Sequence, residues 1–167
     1  MRRFITAYGN DEDGHVVAVL DCGHGRHMRH EPPASLRAWV NDAQGRADRK
    51  GEAVDCLKCD RMELPEEAEA YKTTAWWTHE TVPKGVLGNH RTRPGTWGRV
   101  EVAEGRIRYV AGPPAAVNAV LEAGDTGIVV PEHPHHVELM GPARFRVVFL
   151  KVGGGGHAEP VHFEEPE

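Results

Sequence analysis

The chain carries three cysteines, all within its first 60 residues: Cys22 in a Cys-x-His element with His24, and Cys56 and Cys59 in a Cys-x-x-Cys turn. This spacing constrains the fold more than any other feature. Zn²⁺ takes four tetrahedral ligands from thiolate and imidazole, and structural sites close all four positions. A Cys-x-x-Cys turn sets two sulfurs on one ion, and a distant second pair then clips two segments together. About 60 residues bury too small a core to be comfortably stable without such a staple. The expected ligands of a structural zinc are Cys22, His24, Cys56 and Cys59, the combination used by RING-type sites; His27 and His30 are alternates, because spacing cannot choose among three nearby imidazoles. The rival reading is a redox pair. No βαβ pattern surrounds the Cys-x-x-Cys, and a third cysteine sits beside three histidines, so metal is preferred. Four good donors leave no open position for a catalytic water.

Composition narrows the class. Apolar residues make up 40% of the 167 and charged residues 27%, enough for a packed core. Asp plus Glu number 25 against 20 Lys plus Arg. A net charge of -5 argues against a generic polyanion binder. Nucleic acid is therefore not the expected partner; only a contiguous surface of Arg26, Arg29, Arg37 and Arg61 would favour an adaptor role for the first module. No apolar run is long enough to cross a bilayer, so no membrane partner is expected. Met1-Arg2-Arg3-Phe4 is not followed by an apolar stretch of the kind a secretory signal has, and the expected compartment is the cytoplasm.

Three regions are expected. Residues 1–63 form the zinc-stapled α+β module. Phe4 to Leu20 reads as a hairpin around Asn10-Asp11-Glu12-Asp13-Gly14, Trp39-Val40 as a short strand, and Asn41-Asp42 as the cap of a helix ended by Gly51. Glu63 to Ala70 reads as an acidic linker or short helix. Residues 64–152 form a β-barrel: from Val86 to Leu150, short β-type runs alternate with Gly and Pro turns and no helical period intervenes. Residues 153–167, a four-glycine run and then an acidic stretch, read as a disordered tail.

In the barrel, His90 and His135 come from segments separated by several strands and can converge at one mouth. Two imidazoles and a carboxylate or water suit a second divalent metal. Glu101, Glu132 and Glu138 are the candidate third ligands. Arg106 and Arg108 are expected to form an outward, solvated row, because an unpaired buried guanidinium is costly. No Ser-His-Asp spacing, P-loop or dinucleotide fingerprint is present.

Two resemblances add to these readings. Asp11 to Gly14, Cys22-Gly23-His24-Gly25-Arg26-His27-Met28-Arg29-His30, Pro32-Pro33, Trp39-Val40 and Asp55 to Asp60 resemble a bacterial family of unassigned function with a CGHxxHxRHxPP stretch and a later CxxCD. That likeness implies a metal-binding module and no reaction. Tyr71 to Thr74, Thr81 to Leu87, His90-Arg91-Thr92-Arg93-Pro94-Gly95-Thr96-Trp97-Gly98, Glu104 to Tyr109, Pro131 to His135 and Gly141 to Phe145 resemble the TehB-like cupin family, found alone or attached to tellurite-resistance methyltransferases. The resemblance implies a mainly β chain with a single cupin-like (double-stranded β-helix) barrel. It also implies a setting of tellurite resistance or metal stress. The chain departs from the general cupin motif: Thr92 stands where a second His is usual, and no Glu stands in the usual place before Gly105. The missing ligands favour binding of a small ligand, metal or oxyanion over catalysis. A metal-dependent oxygenase or isomerase is the alternative. Barrel edges need covering, which leaves homodimerisation open.

Overall fold

The computed structural model describes residues 1–153. It divides into two compact units, Met1–Lys58 and Cys59–Glu167. The dividing point falls inside the one-turn helix Leu57–Asp60, so the whole Cys56-x-x-Cys59 turn is described with the first unit. The expected tail begins at Gly153 and otherwise lies outside the described residues.

The first unit is a four-stranded antiparallel sheet with short helical turns. Its strands are β1 (Arg2–Asn10), β2 (Val16–Leu20), β3 (Gly25–His27) and β4 (Ala53–Asp55), in the order β3-β2-β1-β4. Alternation places Ile5, Ala18 and Leu20 inward, each nearly inaccessible. The helix α1 (Ala43–Asp48) starts where Asp42 accepts a hydrogen bond from the Gly45 amide. The one-turn helix α2 is Leu57–Asp60. Trp39-Val40 is not a strand. Ala38–Asn41 form a 3-10 turn, with the Val40 amide donating to the Arg37 carbonyl. The segment buries Val40 and lays Trp39 against Tyr8 and Arg49. Side-chain packing of Trp39 and Val40 accompanies this turn.

The second unit is a cupin-like barrel of two facing antiparallel sheets. Its elements are β5 (Ala68–Thr73), β6 (Trp77–Thr78), α3 (Lys84–Leu87), β7 (Trp97–Glu104), β8 (Arg106–Ala111), β9 (Val117–Glu122), β10 (Thr126–Val129), β11 (His135–Leu139) and β12 (Arg144–Val152). One sheet runs β10-β7-β12-β5, with β6 also pairing β12; the other runs β11-β8-β9. Every second residue points between the sheets. Val100, Val102, Phe145 and Phe149 from the first sheet meet Ile107, Tyr109, Leu121 and Val137 from the second. The Tyr109 hydroxyl crosses the core and donates to the Ile128 carbonyl at 2.9 Å. Two sequence expectations fail here. Ala68–Ala70 open β5 instead of ending a linker, because β12 offers a long edge that pairs Ala68 to Val152. Val86-Leu87 belong to a helical turn that starts after Pro83, not to a β run.

The turn between β7 and β8 depends on Gly105. Its φ is +69°, and a Cβ there would lie 2.1 Å from the Pro142 carbonyl oxygen and 2.9 Å from Ala143 Cα. Both neighbours are backbone and cannot swing aside. Gly105→Ala is expected to destabilise the barrel by at least about 1–3 kcal/mol, the range for a non-Gly residue held in a sparsely populated backbone region. Urea unfolding followed by tryptophan fluorescence measures it, and an unchanged midpoint would contradict this account of the turn.

Candidate functional site

The first cluster is built by two turns. The β2–β3 hairpin turn carries Cys22 and His24. It is closed by hydrogen bonds from Gly23 N to Leu20 O and from Leu20 N to His24 O, with Gly23 at φ +91°. Cys56 follows β4 directly, its amide donating to the Met1 carbonyl, and α2 brings Cys59 round beside it. One donor atom from each of Cys22, His24, Cys56 and Cys59 lies within 4.8 Å of all the others. All four residues are at most 5% exposed. Cys22 Sγ is 4.0 Å from Cys56 Sγ, and His24 Nδ1 is 3.6 Å and 3.4 Å from those two sulfurs. A tetrahedral ion with Zn–S near 2.3 Å and Zn–N near 2.0 Å sets ligand separations of about 3.8 Å (S to S) and about 3.5 Å (S to N). The donor set and its spacing therefore suit a metal, with Nδ1 as the imidazole ligand. The alternates stand elsewhere. His27 Nε2 is 2.9 Å from the Asp11 carboxylate, and His30 Nδ1 accepts from the Arg37 amide. Of the four arginines of the adaptor reading, Arg26 donates to the Asp55 carbonyl, Arg29 pairs with Glu31 and Arg61 with Glu63.

The second site lies at one mouth of the barrel. His90 follows α3 and His135 opens β11, and their peptide groups exchange two hydrogen bonds of 3.0 Å. The backbone pairing holds the rings 4.2 Å apart, centroid to centroid. His90 Nδ1 sits 2.8 Å from the Gly88 carbonyl and His135 Nδ1 sits 2.8 Å from the His133 carbonyl. A carbonyl only accepts, so both Nδ1 atoms carry the proton. In the form that carries a single proton, each ring then has its acceptor lone pair at Nε2. Both rings line a cavity of about 30 Å³, floored by Val100, Val129, Val137, Val147 and Phe149 and rimmed by Arg91 and Thr92. That is room for a water or two, or one small ion. Burial of His135 pushes its pKa down to about 4 against the pull of the His133 carbonyl, so the ring is neutral at pH 7.

The three glutamates expected as further ligands do not converge on this pair. Glu101 alternates with inward Val100 and Val102, so it projects from the opposite face of β7. There Arg99 Nε and Arg146 Nε each donate to it at 2.8 Å. Desolvation opposes ionisation of Glu101, but the two guanidiniums outweigh it and hold the carboxyl below its usual range. Glu138 likewise faces away from inward Val137 and pairs with Arg108 and His136. Glu132 is exposed in a left-handed turn whose amide donates to the Thr92 carbonyl. Arg106 and Arg108 flank buried Ile107 on β8 and project outward. Trp97 is core, whereas Trp76 is 38% exposed with Arg144 and Arg146 stacked over its ring at 5.0 Å and 4.4 Å. The sequence reading missed the groups that fix the imidazoles, the carbonyls of Gly88 and His133. Backbone acceptors have no residue-type signal.

Comparison with known proteins divides the chain in the same two parts. Residues 6–63 match the family described as "Protein of unknown function (DUF3565)", and residues 72–147 match the TehB-like domain. The uncharacterized protein YeaR of Escherichia coli K12 is 28% identical over 89 residues, which cover 47% of this chain and 73% of that protein. A crystal structure of an E. coli K12 protein aligns with a TM-score of 0.49 and 25% identity over 55% of this chain and 97% of its own. The crystal structure of TehB from Haemophilus influenzae aligns with a TM-score of 0.48 and 22% identity over 52% of this chain and 32% of that chain. Among the described residues, no helix is long and apolar enough to cross a membrane.

The depressed His135 gives the barrel a signed pH dependence. Its folded pKa is about 4 against an ordinary 6.5, so between these values the unfolded chain binds more protons. The contribution of His135 to stability is complete above pH 6.5 and declines as pH falls from about 6.5 to about 4. Urea midpoints at pH 7 and pH 4.5 should differ less in His135→Gln than in the unaltered chain. An equal difference in both would show that His135 is not buried neutral.

Proposed function

We propose that the chain is a two-module metal-binding protein. Zinc held by Cys22, His24, Cys56 and Cys59 staples the first module. The TehB-like barrel takes a second small cation, or a ligand that donates hydrogen bonds, at His90 and His135. The observation that carries the barrel reading is the commitment of both Nδ1 atoms to backbone carbonyls. The free face of each ring then offers only a lone pair. An oxyanion also offers only lone pairs and is repelled by such a pair unless the rings are protonated, which the burial of His135 opposes. A divalent cation accepts two imidazole lone pairs, and metal-bound histidines usually donate their other N–H to a carbonyl or carboxylate.

Binding is preferred to catalysis because the ligands an enzyme would need are spent elsewhere. Glu101 and Glu138 are tied into ion pairs on outer faces. The biological setting we assign is metal stress, with tellurite resistance as its named form. This assignment rests on the TehB-like match over residues 72–147 alone.

The test is elemental analysis with native mass spectrometry on protein purified without added metal, for the unaltered chain, Cys56→Ser and His90→Ala. The expected result is one zinc per chain that is lost in Cys56→Ser and kept in His90→Ala. A second divalent ion, present as purified or after adding Mn²⁺, Fe²⁺ or Zn²⁺, should be lost in His90→Ala alone. Absence of metal from every sample would overturn the staple. A barrel that takes up no cation but binds selenite or tellurite would overturn the cation reading.

A further inference from the structure

The mouth of the barrel carries a positive charge that no described residue pairs with. Arg91 rims the cavity between two anchored neighbours: His90 is bridged to His135, and the Thr92 carbonyl accepts the Glu132 amide at 3.2 Å. Thr92 spends its hydroxyl proton on the Thr96 carbonyl at 2.7 Å. Arg91 spends nothing: it makes no hydrogen bond, ion pair or ring contact with the described residues. Elsewhere on the barrel Arg99, Arg108, Arg144 and Arg146 each reach a glutamate. The residues that line the cavity include no carboxylate. A divalent ion on two imidazoles would therefore keep its full charge, above a floor of Val100, Val129, Val147 and Phe149 and beside a guanidinium. Burying an uncompensated charge is costly, and a like charge next to it adds repulsion.

We propose that Arg91 makes the barrel mouth a site for a small carboxylate-type anion, bound together with the cation at His90 and His135, each raising the affinity for the other. This rests on the cation reading of the two histidines given above. The anion supplies the negative charge that the lining lacks, and it turns Arg91 from a repelling neighbour into a partner. The chemistry selects its class. A guanidinium presents paired N–H donors in a planar fork that matches the two oxygens of a carboxylate, whereas a halide meets it as a point. Size selects further. The cavity of about 30 Å³ has room for the ion, so the anion belongs at the rim, where Arg91 stands. Coupling of this kind is reciprocal and amounts to about 5–150-fold in typical cases.

Calorimetric titration of Mn²⁺ into the chain as purified, with and without formate at constant ionic strength, tests the proposal. The unaltered chain, Arg91→Ala and His90→Ala are compared, and the heat that remains in His90→Ala defines binding outside the barrel. Formate should raise the Mn²⁺ affinity of the unaltered chain by at least about fivefold. Without formate, Arg91→Ala should bind Mn²⁺ more tightly than the unaltered chain, because a like charge is gone; with formate, it should show no enhancement. Arg91 is exposed and holds no other residue in place, so the fold survives its removal. Mn²⁺ binding that is lost in His90→Ala but indifferent to formate, or an enhancement that Arg91→Ala keeps, would overturn the anion site and leave the cation site standing. An equal enhancement by chloride would overturn the carboxylate class. No Mn²⁺ uptake that depends on His90, with or without formate, would overturn both sites.

Discussion

Four side chains from two segments far apart in sequence meet within a few ångströms, and the first unit is organised around that meeting. The unit's sheet is short, and β3 and β4 are only three residues each. Strands of that length contribute little pairing energy, and the domain is near the size at which a core alone stops sufficing. What ties the β2–β3 turn to the end of β4 is the donor cluster of Cys22, His24, Cys56 and Cys59. Three thiols and an imidazole packed together without an ion would bury polar atoms that find poor partners in one another. With a divalent ion they become a closed coordination shell. The chemistry of the cluster and the smallness of the module explain each other.

Much of this was legible in the residues, for a physical reason in each case. The cysteine spacing could be read because thiolate chemistry leaves few alternatives. The barrel strands could be read because one buried face imposes alternation, as in Trp97 to Glu104 and Arg106 to Ala111. The failures also have reasons. Trp39-Val40 has β-prone residues, but it forms a 3-10 turn in which Trp39 packs against Tyr8 and Arg49. Ala68–Thr73 lacks an apolar pattern, and it becomes a strand because β12 extends far enough to pair with it. Propensity describes a segment, whereas pairing belongs to its neighbour.

The candidate sites divide along the same line. Which histidines could meet was readable from spacing, but what they could bind was not. That depends on which ring nitrogen holds the proton, and the carbonyls of Gly88 and His133 decide it. Glu101 and Glu138 do not reach the pair because alternation on β7 and β11 turns them to the outer face, where arginines hold them. A facing error of one residue separates a ligand from a surface ion pair.

In the proposed barrel site, the peptide bridge between His90 and His135 would tie affinity to a conformational equilibrium. One imidazole belongs to a sheet strand, while the other belongs to the segment between α3 and β7, joined to that strand at this point by two hydrogen bonds. Breaking the bridge would separate the rings, so occupancy of the proposed site and docking of that segment would favour one another. The intrinsic affinity would be multiplied by the fraction of molecules in which the bridge is made. A substitution anywhere in residues 88–96 that loosens the bridge would lower affinity and speed release without touching either ring.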